Sequence, residues 1–327
     1  MYSSRRSVPA WRFCSIWACW SSSIHPAPDD WRARAMEALL DPLQYGFFQR
    51  GLIVATLSGA LLGFIGVYIV LRGMSYIGHG LSHAIFGGFA AMQLFAASFY
   101  VLGAGLWGIA SAIAITNVAR RSRLGADAAI GVITTASFAL GVALFARFGS
   151  SGPAFDNALF GSILGITNSQ ILWLVLVTAF TAIVVFTRYR ALLFTTFDPE
   201  VADVSGVRVG RTEALLMIVL SLAILVTLTV IGVTLVAAML VIPAVVARML
   251  TDSFGRMLVL STIVGAISGL VGMYLSYYAG VPSGTMIVLV GTAVFLVVLA
   301  ITGVRGMRRT VGLDSHAAPN VKEAIRP

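Results

Sequence analysis

The chain has 327 residues, of which 58% are hydrophobic and 11% charged, and its mean hydropathy is +0.93. That composition excludes an ordinary soluble domain and marks a polytopic membrane protein. The formal net charge of +9 comes from scattered arginines without interleaved aromatic platforms, which argues against a nucleic-acid surface.

Residues 1–35 mix Arg, Trp, Ser and Pro, with no apolar stretch long enough for a signal-peptide core. They are expected to be an extension preceding a true start at Met36, the alternative being a disordered tail. Both cysteines, Cys14 and Cys19, lie there, so their spacing carries no disulfide or metal reading for the body of the chain.

From Gly51 onward, apolar runs recur almost to the C-terminus. A bilayer core of about 30 Å requires roughly 20 apolar residues per helix, and closed barrels do not read as continuous apolar runs. The expected fold is therefore all-α, a transmembrane bundle occupying 36–305 and followed by a polar cytoplasmic tail, 306–327. Spans are expected near 51–71, 80–97, 99–118, 128–148, 170–187, 213–232, 233–248, 256–279 and 283–304, eight to ten helices in all. The run 213–248 is expected either to be one long run divided at "VIGVT" or to be a span followed by a re-entrant piece.

Arginines fall on alternate connections: Arg72, then Arg120, Arg121 and Arg123, then Arg188, Arg190, Arg208 and Arg211, then Arg248 and Arg256, then Arg305, Arg308 and Arg309. Cytoplasmic loops accumulate Lys and Arg, so these connections face the cytoplasm.

Between the first two spans lies "GHGLSHA", residues 78–84. His25 and His316 sit near the two ends of the chain, so His79 and His83 are the histidines of the membrane body. Four apart on a helix, they share a face with Cβ atoms about 5–6 Å apart, and both rings reach a metal at about 2.0–2.1 Å. No Asp or Glu occurs from Gly51 to Arg120 to pair with them. Two readings stand: interfacial histidines bonded to carbonyls or lipid headgroups, or ligands. Ionisable groups at depth favour a site.

Further on, "FDPEVADVSGVRVGR" at 197–211 lies in the longest arginine-flanked connection. Asp198, Pro199 and Glu200 resemble a helix start, with proline in the first turn and acids at the positive end of the helix dipole. Gly206 is a plausible stop. A short cytoplasmic surface helix results, with a solvated linker as the plainer alternative. Pro243 is expected to kink its helix, and Asp127 reads as a cap or dipole partner at a helix start.

Enzymatic constellations are missing. A phosphate-binding G-x-x-x-x-G-K-[ST] loop is excluded because the one lysine is Lys322 in the tail, and neither H-E-x-x-H nor G-x-S-x-G occurs.

Five blocks resemble the integral-membrane permease subunits of ABC importers for zinc, manganese or iron: "YIVLRGMSYIGHGLSHAIFGG" at 68–88, "LFGSILGIT" at 159–167, "FDPEVADVSGVRVGR", "VIGVTLVAAMLVIPAVVARML" at 230–250 and "YYAGVPSGTMIVLV" at 277–290. The resemblance implies the helical bundle of metal and cobalamin importer permeases, in a prokaryotic plasma membrane. It implies that His79 and His83 touch the ion in the translocation path. In that family the first position is usually Asp, so His79 exchanges a hard oxygen for nitrogen and favours zinc over manganese. Asp198, Pro199, Glu200, Ala202, Gly206 and Val207 are implied to form the coupling helix that docks on an ATPase subunit. The implied partners are a second copy of the chain, cytoplasmic ATPase subunits and an extracytoplasmic metal-binding protein. The implied cargo is a divalent ion, zinc or manganese, with no permanently bound cofactor. A stand-alone secondary transporter or channel for divalent cations is the alternative.

Overall fold

The computed structural model describes residues 40–95, 100–121, 126–148 and 165–314. The expectations for 1–35 and for the tail beyond 314, and most of the "LFGSILGIT" block, lie outside these residues. The chain divides into two units, 1–46 and 47–327. In the first, Asp41–Gln44 form a 3-10 turn.

Among its described residues the second unit is built of helices joined by short turns, with no strand. Its elements are α1 (Gly46–Leu71), α2 (Ile77–Phe95), α3 (Tyr100–Arg121), α4 (Ala126–Phe148), α5 (Asn168–Thr187), α6 (Tyr189–Phe197), α7 (Pro199–Val204), α8 (Val209–Ile231), α9 (Val233–Leu250), α10 (Phe254–Ala279) and α11 (Ser283–Asp314). Seven of them, α1, α3, α4, α5, α8, α10 and α11, are long and apolar enough to cross a bilayer. Two more apolar helices, α2 and α9, complete the bundle and agree with the eight to ten expected.

Element ends follow local chemistry. Thr167 opens α5 through a capping box: its hydroxyl accepts from Gln170 N–H at 3.4 Å, and Gln170 Oε1 accepts from Thr167 N–H at 2.9 Å. The run 213–248 divides at Gly232, which takes φ 84° and ψ 161° between α8 and α9. Pro243 sits inside α9, which stays continuous from 233 to 250. At the far end α11 runs to Asp314, ten residues past the span end expected from hydropathy. Backbone hydrogen bonding continues a helix beyond the point where its side chains cease to be apolar.

Small residues set how the helices meet. Gly59 on α1 faces Gly265 on α10, where a Cβ on either residue would collide with the carbonyl of the other. One turn away, Ser261 on α10 donates to Gly63 O at 2.6 Å. Close backbone approach of this kind replaces the hydrophobic drive that lipid removes. The outward residues of α5, such as Trp173, Phe180 and Phe186, are exposed and apolar, as a lipid-facing surface requires. Helix α2 is packed against α3, α4, α8 and α9 and forms the centre of the unit.

Candidate functional site

Both histidines lie in the first two turns of α2, half-buried, on one face as their spacing dictates. Their ring centroids are 4.6 Å apart with planes at 75°. An ion held at about 2.1 Å by each of two rings requires ligand nitrogens within roughly 4 Å of one another, and these adjoining rings are the candidates for such a pair. Tyr76 stands beside His79 at 5.5 Å, and Phe138 of α4 stands edge-on to His83 at 4.9 Å. His83 Nδ1 is buried and, among the described residues, has no hydrogen-bond partner. Buried polar atoms are normally paired, and this nitrogen is an exception among the described residues.

The backbone around the pair is held closely. Ser82, fully buried, donates to His79 O at 2.8 Å and lies 3.4 Å from Val233 O, at the start of α9 just after the Gly232 break. Gly80 faces Ile130 and Thr134 of α4, and Gly87 meets the Ser137 carbonyl. The histidine-bearing face of α2 is thereby fixed against α4, and its other side against the α8–α9 break. Among the described residues no group of three or more His, Cys, Asp or Glu is positioned to hold a metal ion. Among the described residues the pair contributes two imidazoles, fewer than the four ligands of a structural zinc cage.

At the other candidate site, the six-residue α7 carries the end signals expected of it. Asp198 Oδ1 accepts from Glu200 N–H at 3.1 Å and Val201 N–H at 3.0 Å, and Pro199 occupies the first turn. At the other end Val207 N–H donates to Ala202 O and Gly206 N–H to Asp203 O, each at 3.0 Å, the paired bonds of a Schellman stop. Gly206 has φ 80°, a conformation costly for any residue with a Cβ.

The residues of α7 divide by face. Asp198, Pro199, Glu200 and Gly206 are exposed, Val207 is half-buried, and Ala202 is fully buried, anchoring the helix. The outward apolar surface belongs to Val201, 49% exposed, and Val204, 92% exposed, with Phe197 beside them at 61%. Sequence reasoning missed these. Two valines three apart in a helix flanked by acids were the available signal, since that spacing puts them on one face. Ser82 and Phe138 were missed as well, and nothing local to either marks it.

The chain is 36% identical over 81% of its length, and over 94% of the relative, to the "Manganese transport system membrane protein MntC" of Listeria innocua. It is 30% identical, over 88% of its length and 94% of the relative, to the "Chelated iron transport system membrane protein YfeD" of Yersinia pestis. Among solved structures, "PsaBC from Streptococcus pneumoniae in complex with Fab" aligns with a TM-score of 0.73 at 30% identity, covering 81% of this chain and 95% of that one. With its apolar helices and these bacterial relatives, the protein is a multi-pass protein of the bacterial plasma membrane. The family model for the ABC 3 transport family matches residues 44–302, and the chain belongs to that family.

Proposed function

We propose that this chain is the membrane-spanning subunit of an importer of divalent transition-metal ions, driven by separate ATP-hydrolysing subunits that dock on α7. The observation that carries the reading is the imidazole pair, 4.6 Å between centroids, in a bundle that belongs to a transporter family. His79 and His83 receive the ion in transit. A pair of such chains brings four imidazoles to the path, and an extracytoplasmic protein delivers the ion. The chain itself performs no bond-making chemistry.

The cargo is a first-row divalent cation. The relatives described above are named for manganese and iron, and those names support these ions for the proposed importer. The preference for zinc rests on the nitrogen donors alone. The rival reading, a stand-alone secondary transporter, requires an ionisable relay at depth. Among the described residues, the carboxylates of the long apolar helices instead sit near helix ends: Asp127 second in α4, Glu213 fifth in α8 and Asp314 last in α11.

The test is uptake of radiolabelled manganese, iron and zinc by vesicles containing the purified chain, with and without its ATPase subunits. The proposal expects uptake that requires those subunits and ATP. Equal uptake by the chain alone would establish the secondary transporter instead.

A further inference from the structure

Arg72 immediately follows α1 and is nearly buried, its side chain 6% exposed. Its guanidinium touches two other elements. Nε donates to Thr196 Oγ1 at 3.2 Å and Nη2 to Thr195 Oγ1 at 3.0 Å, both on α6, while Nη1 lies 3.8 Å from Glu213 Oε1 on α8. The two threonine hydroxyls pass their own protons inward, Thr195 to Ala191 O at 2.9 Å and Thr196 to Leu192 O at 2.6 Å. Arginine to hydroxyl to helix carbonyl is thus a continuous chain of donors. Burial pulls the guanidinium below its ordinary pKa and the Glu213 carboxylate opposes that pull.

Both ends of this contact lead directly to the two candidate sites. On one side, Thr196 is two residues before Asp198, the N-cap of α7, and Asp198 N–H donates to Phe194 O at 2.9 Å, so α6 and α7 are hydrogen-bonded in series. On the other, Arg72 opens the tight connection to α2. There Gly73 N–H donates to Val70 O, Met74 N–H to Ile69 O, Ile77 N–H to Met74 O and Gly80 N–H to Tyr76 O, at 2.9–3.1 Å. Every turn from Arg72 to His79 is therefore closed by a backbone bond. Phe254, the first residue of α10, supports the same junction: its ring lies 5.2 Å from Tyr68, 5.8 Å from Tyr189 and 5.9 Å from Phe197.

We infer that Arg72 is a positioning residue for transport, a strut that transmits displacement of the α6–α7 segment to the turn carrying His79. The inference rests on the function proposed above and adds the route by which docking at α7 reaches the ion. A planar guanidinium with five fixed N–H groups holds three elements at set angles, which an ammonium cannot do. The partners on α6 are neutral hydroxyls, so the contact can re-form in a second arrangement without stranding an unpaired carboxylate.

The test uses the complete transporter in vesicles, with manganese ions as cargo, and reads metal transported per ATP hydrolysed. The variants are Arg72→Lys, Arg72→Gln and the double change Thr195→Val with Thr196→Val, which keeps shape and removes only the hydroxyls. All three are expected to retain their ATPase subunits and hydrolyse ATP, while the transport ratio falls about tenfold in Arg72→Gln and in the threonine double variant, within the roughly 5- to 150-fold range of coupling between sites. Arg72→Lys is expected to recover part of the ratio. A role confined to folding would lower protein amount, hydrolysis and uptake together at constant ratio, and that result in the folded threonine double variant overturns the inference. Wild-type vesicles that show no ATP-dependent uptake overturn the proposed function itself, a separate outcome.

Discussion

Replacing Gly87 by alanine places a methyl group between two backbones. The added Cβ meets the Ser137 carbonyl oxygen of α4, with Ser137 C at 2.8 Å and Phe138 Cα at 3.2 Å. Ordinary carbon–carbon contact is about 3.5–4.0 Å, so α2 and α4 must separate by about 0.7 Å or more. No rotamer change relieves the clash, because every atom met is main chain. Overpacking of this kind costs about 1–3 kcal/mol. The displacement also reaches the candidate site: His83 lies one turn before Gly87, and its ring rests 4.9 Å from Phe138. Gly131→Ala on α4 is the control, since a Cβ there meets nothing within 4 Å and exchanging helical glycine for alanine stabilises by about 0.5–1 kcal/mol. Thermal unfolding in detergent is expected to rank Gly131→Ala above wild type and wild type above Gly87→Ala. Metal uptake per folded molecule should fall only in Gly87→Ala. A Gly87→Ala protein as stable as the control would refute the close-packing argument.

His83→Ala is expected to abolish uptake at unchanged protein level, whereas His79→Asp should retain uptake and shift preference toward manganese, measured with several radiolabelled metals. Wild-type uptake by His83→Ala would sink the ligand assignment. Asp198→Ala removes the two backbone bonds that open α7 and should cost about 1 kcal/mol of local helix stability, read as weaker co-purification of the ATPase subunits. Undiminished retention would show that docking does not depend on α7. Val204→Asp places a charge on the most exposed apolar residue of that helix and should weaken the same association without altering the unfolding temperature. Ser261→Ala deletes the bond to Gly63 O and is expected to destabilise by about 0.6 kcal/mol, the average for interhelical bonds in membranes. An unchanged unfolding midpoint would mean that the serine finds no net gain there.

What could be read from the chain by itself was what depends on near neighbours. Apolar runs set the spans, arginines set their orientation, and Asp198 with Gly206 bounded α7, because capping bonds reach only a few residues. The shared face of His79 and His83 followed from helical pitch alone. Contacts between distant segments did not follow. Phe138 beside His83, Val233 beside Ser82, and Thr195 and Thr196 gripping Arg72 across 123 and 124 residues are set by which helix surfaces fit together. The nearly uniform apolarity of the helices erases the inside–outside pattern that would reveal those surfaces in a soluble protein. The face of α7 was decided the same way: Ala202 turned inward and Val204 outward because the neighbouring helices, not the local sequence, determine which side is covered.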